Sequence, residues 1–172
     1  MDPGRARAKA ERLLDRLDRL TRANLRDFEA SPALLAQFWQ DFDGGGFEYQ
    51  IDRWACPELE CWDTYRELLE RVRTRPRPWD CKKASAALGA ALLRDGAPIV
   101  IGLRPGENVS HAVLGVLPPS SAIGSRGPQP VGTAGTSGPD PRVRVLDPSV
   151  WTGMPPLKPH EYAETHWRRI TT

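Results

Sequence analysis

The 172-residue chain predicts an α+β fold, with helices first and a short run of strands after them. Three observations carry this expectation. Apolar residues recur at helical spacing through residues 1–75. After Trp79-Asp80-Cys81 the pattern gives one further helix and then β-rich runs. A stretch rich in Gly, Pro, Ser and Thr interrupts those runs at 118–141. The chain therefore divides into a helical N-terminal extension or cap, 1–75, and a core, 76–172, carrying a flexible excursion at 118–141. Its length supports a hydrophobic core without a disulfide or metal staple.

Residues 5–29 read as a helix in which Leu13, Leu17, Leu20 and Phe28 mark the apolar face. Ser31-Pro32 restarts the pattern, Ser31 suiting an N-cap and Pro32 the first helical turn. This second helix runs from Ala33 to about Asp41 and stops at Gly44-Gly45-Gly46. Residues 47–54 read as a short strand or an extended lead-in. A third helix is expected from Pro57 through Trp62, Tyr65, Leu68, Leu69 and Val72, until Pro76 and Pro78 forbid its continuation. Ala84, Ala87, Leu88, Ala91 and Leu92 then mark a helix that packs closely through small residues and ends at Asp95-Gly96. Residues 98–103, 108–117 and 142–146 read as three strands. The excursion has almost nothing to bury and belongs on the surface. Beyond the strands, the Pro-rich stretch 155–159 is expected to wrap over the core, and 162–170 to form a short helix or strand.

Charge narrows the function classes. Lys and Arg total 24 against 22 Asp and Glu, a net charge of +2, so electrostatics offers no case for nucleic acid or a membrane surface as partner. The early Arg cluster at 5–26 is mixed with acidic residues and reads as a solvated helix face. The N-terminus has no apolar signal core, and no apolar run is long enough to span a bilayer. The expectation is a cytoplasmic protein. Three cysteines fit a reducing compartment better than a disulfide scaffold. Cys56, Cys61 and Cys81 form no CxxC pair, and the glycines have no phosphate-cradle context, so neither metal nor cofactor is expected.

Cys81 is the leading chemical candidate. Asp80 suits an N-cap and so places Cys81 in the first turn of its helix, where backbone N–H groups and the helix dipole favour thiolate over thiol. The same N–H groups suit a developing oxyanion. Lys82 and Lys83 add positive charge nearby. The competing reading is a small buried residue on the face shared with Ala84 and Leu88. His111 sits mid-strand in the apolar run VSHAVLGV, where an unpartnered imidazole is costly to bury. The next strand ends in Asp147-Pro148-Ser149. If the three strands are antiparallel neighbours, the Asp147 carboxylate lies beside His111 and holds its tautomer and charge. A strand-end Asx turn before proline is the alternative for Asp147. Cys81 as nucleophile, His111 as base and Asp147 as orienting carboxylate accounts for all three residues together.

The segments WDCKKASAALGAALLRDGAPIVIGL, NVSHAVLGV and VRVLDPS resemble the transglutaminase-like branch of the papain-like cysteine enzymes, and are similar to peptidases that process bacteriocin leaders. The resemblance covers residues 79–151. It implies a papain-like/transglutaminase-like fold, with a central helix starting at Cys81 packed on a small antiparallel sheet. It also implies a cysteine peptidase, amidase or transglutaminase-like acyltransferase. In these families an upstream Trp or Gln helps build the oxyanion hole; Trp39, Gln50, Trp54 and Trp79 are the candidates here, with core packing the competing reading for the aromatics.

The chemistry implied is attack by the Cys81 thiolate on an amide or ester carbonyl, giving a thioester that passes to water or an amine. Hydrolysis of a peptide or isopeptide amide is favoured, since water needs no second binding site. A catalytically inactive scaffold or assembly protein, as in a phage or other large complex, is the alternative, with the N-terminal helices meeting a protein partner. A third reading is a metal or redox protein built on Cys56, Cys61 and Cys81. His160 and His166 have no partner motif and stay outside the site.

Overall fold

The computed structural model describes residues 2–50, 62–106, 110–118, 142–154 and 157–171. Its first element, α1 (Pro3–Ala30), begins with Asp2 accepting the Arg5 N–H and buries a stripe from Ala10 through Leu14, Leu17, Leu20, Thr21 and Asn24 to Phe28. Two members of that stripe are polar. Thr21 and Asn24 donate back to the carbonyls of Leu17 and Leu20, at 2.8 and 3.0 Å, so neither is buried without a partner. Helix α2 (Pro32–Asp43) starts at the expected Ser31 cap, whose hydroxyl accepts the Leu34 N–H. Strand β1 (Phe47–Tyr49) follows.

Helix α3 (Tyr65–Arg71) departs from expectation at its start. Residues 57–61 lie outside the described ones, but Trp62, Asp63 and Thr64 are non-helical. A capping box sets the boundary: Thr64 Oγ1 accepts the Glu67 N–H while the Glu67 carboxylate accepts the Thr64 N–H. The Tyr65 N–H is taken by Asn24 Oδ1 at 2.8 Å, tying α3 to α1. Strand β2 (Arg77–Trp79) then pairs in parallel with β1, Tyr49 lying opposite Trp79.

A buried carboxylate joins these pieces. Asp41 of α2, fully removed from solvent, accepts the Tyr65 hydroxyl and the Arg77 guanidinium, both at 2.7 Å, and pairs with Arg75. Phe28, Phe38, Phe47, Tyr65 and Trp79 pack on one another with ring centroids 4.0–6.5 Å apart. A buried charge is tolerable only when it is paired, and Tyr65 of α3 and Arg77 of β2 supply hydrogen bonds to Asp41 Oδ2.

The central helix, α4 (Cys81–Arg94), is capped as the sequence predicts. Asp80 Oδ1 accepts the Lys83 N–H, and Gly96, with φ of 81°, closes the other end while Ala97 and Gly96 donate to Leu92 and Leu93. Most of its residues are buried, and most of those are Ala or Gly. Small side chains let α4 approach α1 on one side and the sheet on the other.

That sheet has the order β5-β4-β3-β6 and is antiparallel throughout. Strands β3 (Ile99–Arg104), β4 (His111–Val116) and β5 (Arg144–Leu146) are the three expected ones. The fourth, β6 (His166–Ile170), follows the short helix α5 (Pro159–Ala163), so the stretch 162–170, expected as a short helix or strand, holds the end of a helix and then a strand. Ile99, Ile101, Leu103, Ala112, Leu114 and Ile170 share the core with the helices. On the other face Gly102 and Gly115 leave room for the Trp167 ring, which a Cβ at either position would meet at 2.8 and 3.3 Å.

The fold is therefore α+β, with a helix beginning at Cys81 against a small antiparallel sheet. The core cluster runs from Ala10 of α1 to Ile170 of β6, so the helical N-terminal segment packs into the same interior as the strands. Among the described residues no helix is long and apolar enough to cross a membrane.

Gly89 lies at a close helix–sheet approach: a Cβ there would stand 2.9 Å from Ile99 Cδ1 and 3.3 Å from Leu114 Cδ1. Gly89→Leu is expected to lower the free energy of unfolding by about 1–3 kcal/mol through overpacking. The shift in urea midpoint at constant slope checks it.

Candidate active site

Local sequence brings each residue of the site to a defined place. Asp80 ends the extended β2 segment and caps α4, so Cys81 is the first helical residue and its N–H has no carbonyl one turn earlier within the helix. His111 opens β4; the sequence reading had placed it mid-strand. Asp147 follows the last residue of β5, and the β4–β5 register of Leu114 with Leu146 sets it level with Val113, on the face His111 shares.

The length of β5 decides what happens next. It pairs with β4 only at Leu114, Gly115 and Val116, so it stops short of Ala112. The backbone of Ala112 is met by α4 instead. Its N–H donates to Cys81 Sγ at 3.5 Å, and its carbonyl accepts from Ser85 Oγ at 3.3 Å. Cys81 and Ser85 are four apart and lie on one helix face, so a single stretch of α4 satisfies both groups. The thiol thus sits in the notch where β5 ends, with Ser110 O 4.0 Å from Sγ.

In that notch the three predicted residues come together. His111 Nε2 lies 2.8 Å from Asp147 Oδ2, and Cys81 is the imidazole's second electrostatic partner. All three side chains are nearly inaccessible: Cys81 is 7 % exposed, and the side chains of His111 and Asp147 are 7 % and 6 % exposed. Burial alone would drive the proton off His111. The hydrogen bonds to Asp147 and Cys81, with the charges of both, outweigh it and raise the imidazole pKa from 6.5 to about 9. The imidazole is thereby disposed to stay protonated at neutral pH.

Asp147 uses its two oxygens separately. Oδ2 serves His111, while Oδ1 accepts the Ser149 N–H at 3.3 Å, an Asx turn, and the Ser149 hydroxyl at 2.5 Å. The turn residue fixes the carboxylate, and the free oxygen does the orienting. Pro148 and the fully buried Ser149 lead into a short 3₁₀ turn, Val150–Thr152.

The two lysines after Cys81 contribute less than the sequence suggests. Lys82 pairs with Asp80 and lies 5.6 Å over the Trp62 ring, and Lys83 is buried with Nζ 3.8 Å from Asp63 and 4.0 Å from Asp80. Their charges are matched by carboxylates, so helix position and His111 carry the electrostatics at sulfur.

Of the expected oxyanion partners, Trp79 is buried in the aromatic cluster and Trp39 packs on Phe38 and Phe42. Gln50 exposes its side chain. Trp54 lies outside the described residues, as do Cys56 and Cys61. His160 and His166 belong to α5 and β6, apart from the triad. Among the described residues no group of His, Cys, Asp and Glu could hold a metal ion.

Ser85, Ser149 and Tyr49 were not singled out from sequence. Ser85 was legible in principle as the same-face neighbour of Cys81, and Ser149 as the residue two after a turn aspartate. Tyr49 had no local signal, because its place depends on the parallel pairing of β1 with β2.

Family models, curated proteins and solved structures yield no match to this chain.

Asp147→Asn removes the charge that supports the imidazolium and leaves burial to act. The His111 pKa is expected to fall from about 9 by roughly one to three pH units. NMR titration of the imidazole checks this. Because the folded pKa is raised, the stability His111 contributes is complete below its ordinary pKa of 6.5 and is lost as pH rises through about 9. Denaturant midpoints should fall across that window in the parent and stay flatter in Asp147→Asn.

Proposed function

We propose that the protein is a cysteine-dependent acyl-transfer enzyme that hydrolyses a peptide or isopeptide amide through a thioester on Cys81. The observation that carries this reading is the 2.8 Å bond between Asp147 Oδ2 and His111 Nε2, with Cys81 Sγ held by the N–H of the next residue, Ala112, and acting on the same imidazole. A cysteine retained only for packing has no need of such an arrangement. The helix-on-antiparallel-sheet architecture and the Cys-His-Asp order support membership of the papain-like, transglutaminase-like superfamily. The contact between Cys81 and His111 favours an enzyme over an inactive scaffold of the same fold.

The steps follow from the geometry. His111 takes the thiol proton, and Sγ attacks the carbonyl carbon, whose π pair moves to oxygen. When the tetrahedral adduct collapses, the C–N bond breaks and His111 returns the proton to the leaving amine, giving the thioester. Water then enters, gives its proton to His111 and attacks the thioester. Collapse expels the thiolate, and the acid product departs. Asp147 holds the imidazole in the tautomer that presents Nδ1 to sulfur and balances its charge while it is protonated. The substrate on this reading is a protein or peptide. Water as the acceptor is favoured over an amine because it requires no second site.

Alkylation of Cys81 by iodoacetamide, followed against pH in the parent and in His111→Ala, tests the ion pair. The parent should react well below the ordinary thiol pKa of about 8.5, and the variant should lose that reactivity. Inertness of Cys81 until unfolding, or indifference to the His111 change, would sink the catalytic reading. With a peptide-amide substrate, Cys81→Ala should abolish turnover. His111→Ala should reduce it by about 10²–10⁴-fold. The leaving amine takes its proton from His111, so turnover in the parent should decline as pH rises through about 9.

A further inference from the structure

The proposed reaction needs a donor to the carbonyl oxygen besides the backbone of Cys81, and the residues expected from sequence do not provide it. Trp79 and Trp39 are engaged in the aromatic packing of the interior. Gln50 is solvent-exposed, and it alternates with its neighbour along the extended chain, so Gln50 and Tyr49 point to opposite sides.

Tyr49 is the residue that the fold brings to this place. It ends β1, level with Trp79 in the parallel ladder, and the Gln50 N–H donates to the Trp79 carbonyl at 3.0 Å. Trp79 is two residues before Cys81, so this hydrogen bond anchors the end of β1 at the entrance to α4. The same strand packs against the 3₁₀ turn Val150–Thr152, which continues from Asp147-Pro148-Ser149. β1 therefore bridges the two segments that deliver the nucleophile and the orienting carboxylate.

The Tyr49 ring is half-buried against the core, yet its hydroxyl forms no hydrogen bond with any described residue. Tyrosines that bury their rings ordinarily give the O–H a partner. By contrast Tyr65, fully buried in the aromatic cluster, donates to Asp41.

From this placement we infer that Tyr49 is a catalytic hydrogen-bond donor, its O–H and the Cys81 N–H together receiving the oxyanion that forms when Sγ adds to an acyl carbonyl. The inference rests on the acyl-transfer reading of Cys81 and His111. The charge environment agrees with it. Burial first, then the charges of Cys81, Asp80 and Asp147, raise the phenol pKa, with Lys82 opposing. Tyr49 thus keeps its proton wherever the thiolate is active, and a donor must keep its proton. An aromatic hydroxyl would here occupy the functional place that Trp or Gln fills in the families this sequence resembles.

Two reactions of the same sulfur separate this role from others. Acylation by p-nitrophenyl acetate passes through a tetrahedral oxyanion: Sγ bonds to the carbonyl carbon, the π pair moves to oxygen, then returns and expels p-nitrophenolate. Alkylation by iodoacetamide displaces iodide and forms no oxyanion. Tyr49→Phe removes only the hydroxyl. It is expected to slow acylation by about 10²–10³-fold, the loss typical of one oxyanion donor, while leaving alkylation unchanged. Acylation at the parental rate in Tyr49→Phe overturns the inference and leaves the acyl-transfer reading standing. Equal slowing of both reactions also overturns it, since Tyr49 would then act on the thiol itself. A parent that alkylates but never acylates removes the acyl-transfer reading, and this inference with it.

Discussion

The edge of β4 at Ala112, beyond the reach of β5, is the constraint on which the candidate site depends. An exposed strand edge carries backbone donors and acceptors that must find partners. Here the partners are side chains of α4: Cys81 Sγ receives the N–H and Ser85 Oγ donates to the carbonyl. The helix is thereby held with its first residue against the start of the strand that carries His111. Asp147 enters the same notch because it is the residue at which β5 gives out. A longer β5 would have paired with Ala112 and displaced the sulfur. The arrangement of the candidate site is a consequence of where one ladder ends.

Holding α4 there requires close packing on both sides of it. The Ala and Gly positions of α4 admit α1 and the sheet at short range, and Gly89 meets Ile99 and Leu114 with no space for even a methyl group. On the entry side, the Asp41 carboxylate binds α3 and β2 through Tyr65 and Arg77. This buried charge lies next to the aromatic cluster that seats Trp79, immediately ahead of the Asp80 cap and Cys81. The N-terminal helices are thus part of the support of the site. Without α1 one flank of α4 would lose its packing, and without α2 the buried guanidinium of Arg77 would lose its counter-ion.

Within the site, one residue often meets two requirements. Asp147 makes an Asx turn with one oxygen and orients His111 with the other. Asp80 caps α4 while taking up the charges of Lys82 and Lys83.

The sequence by itself determined those features whose causes are local. Ser31-Pro32 and Asp80 announced their helices because capping involves only the first turn, and Gly96 announced an end because few other residues accept a positive φ. The α+β class and the three expected strands followed from periodicity; Cys81 at a helix start, His111 in an apolar strand and Asp147 at a strand end were legible as candidates. Even so, the local Thr64–Glu67 box was passed over in favour of Pro57. Tertiary structure alone decided that 166–170 would be a strand, since its polar sequence HWRRI has meaning only against β3 and the vacancies at Gly102 and Gly115. It also decided that Lys83 would be buried, that β5 would stop before Ala112, and that Tyr49 would stand level with Trp79. Each of these depends on contacts between segments distant in the chain, whose free energy no window of neighbouring residues contains.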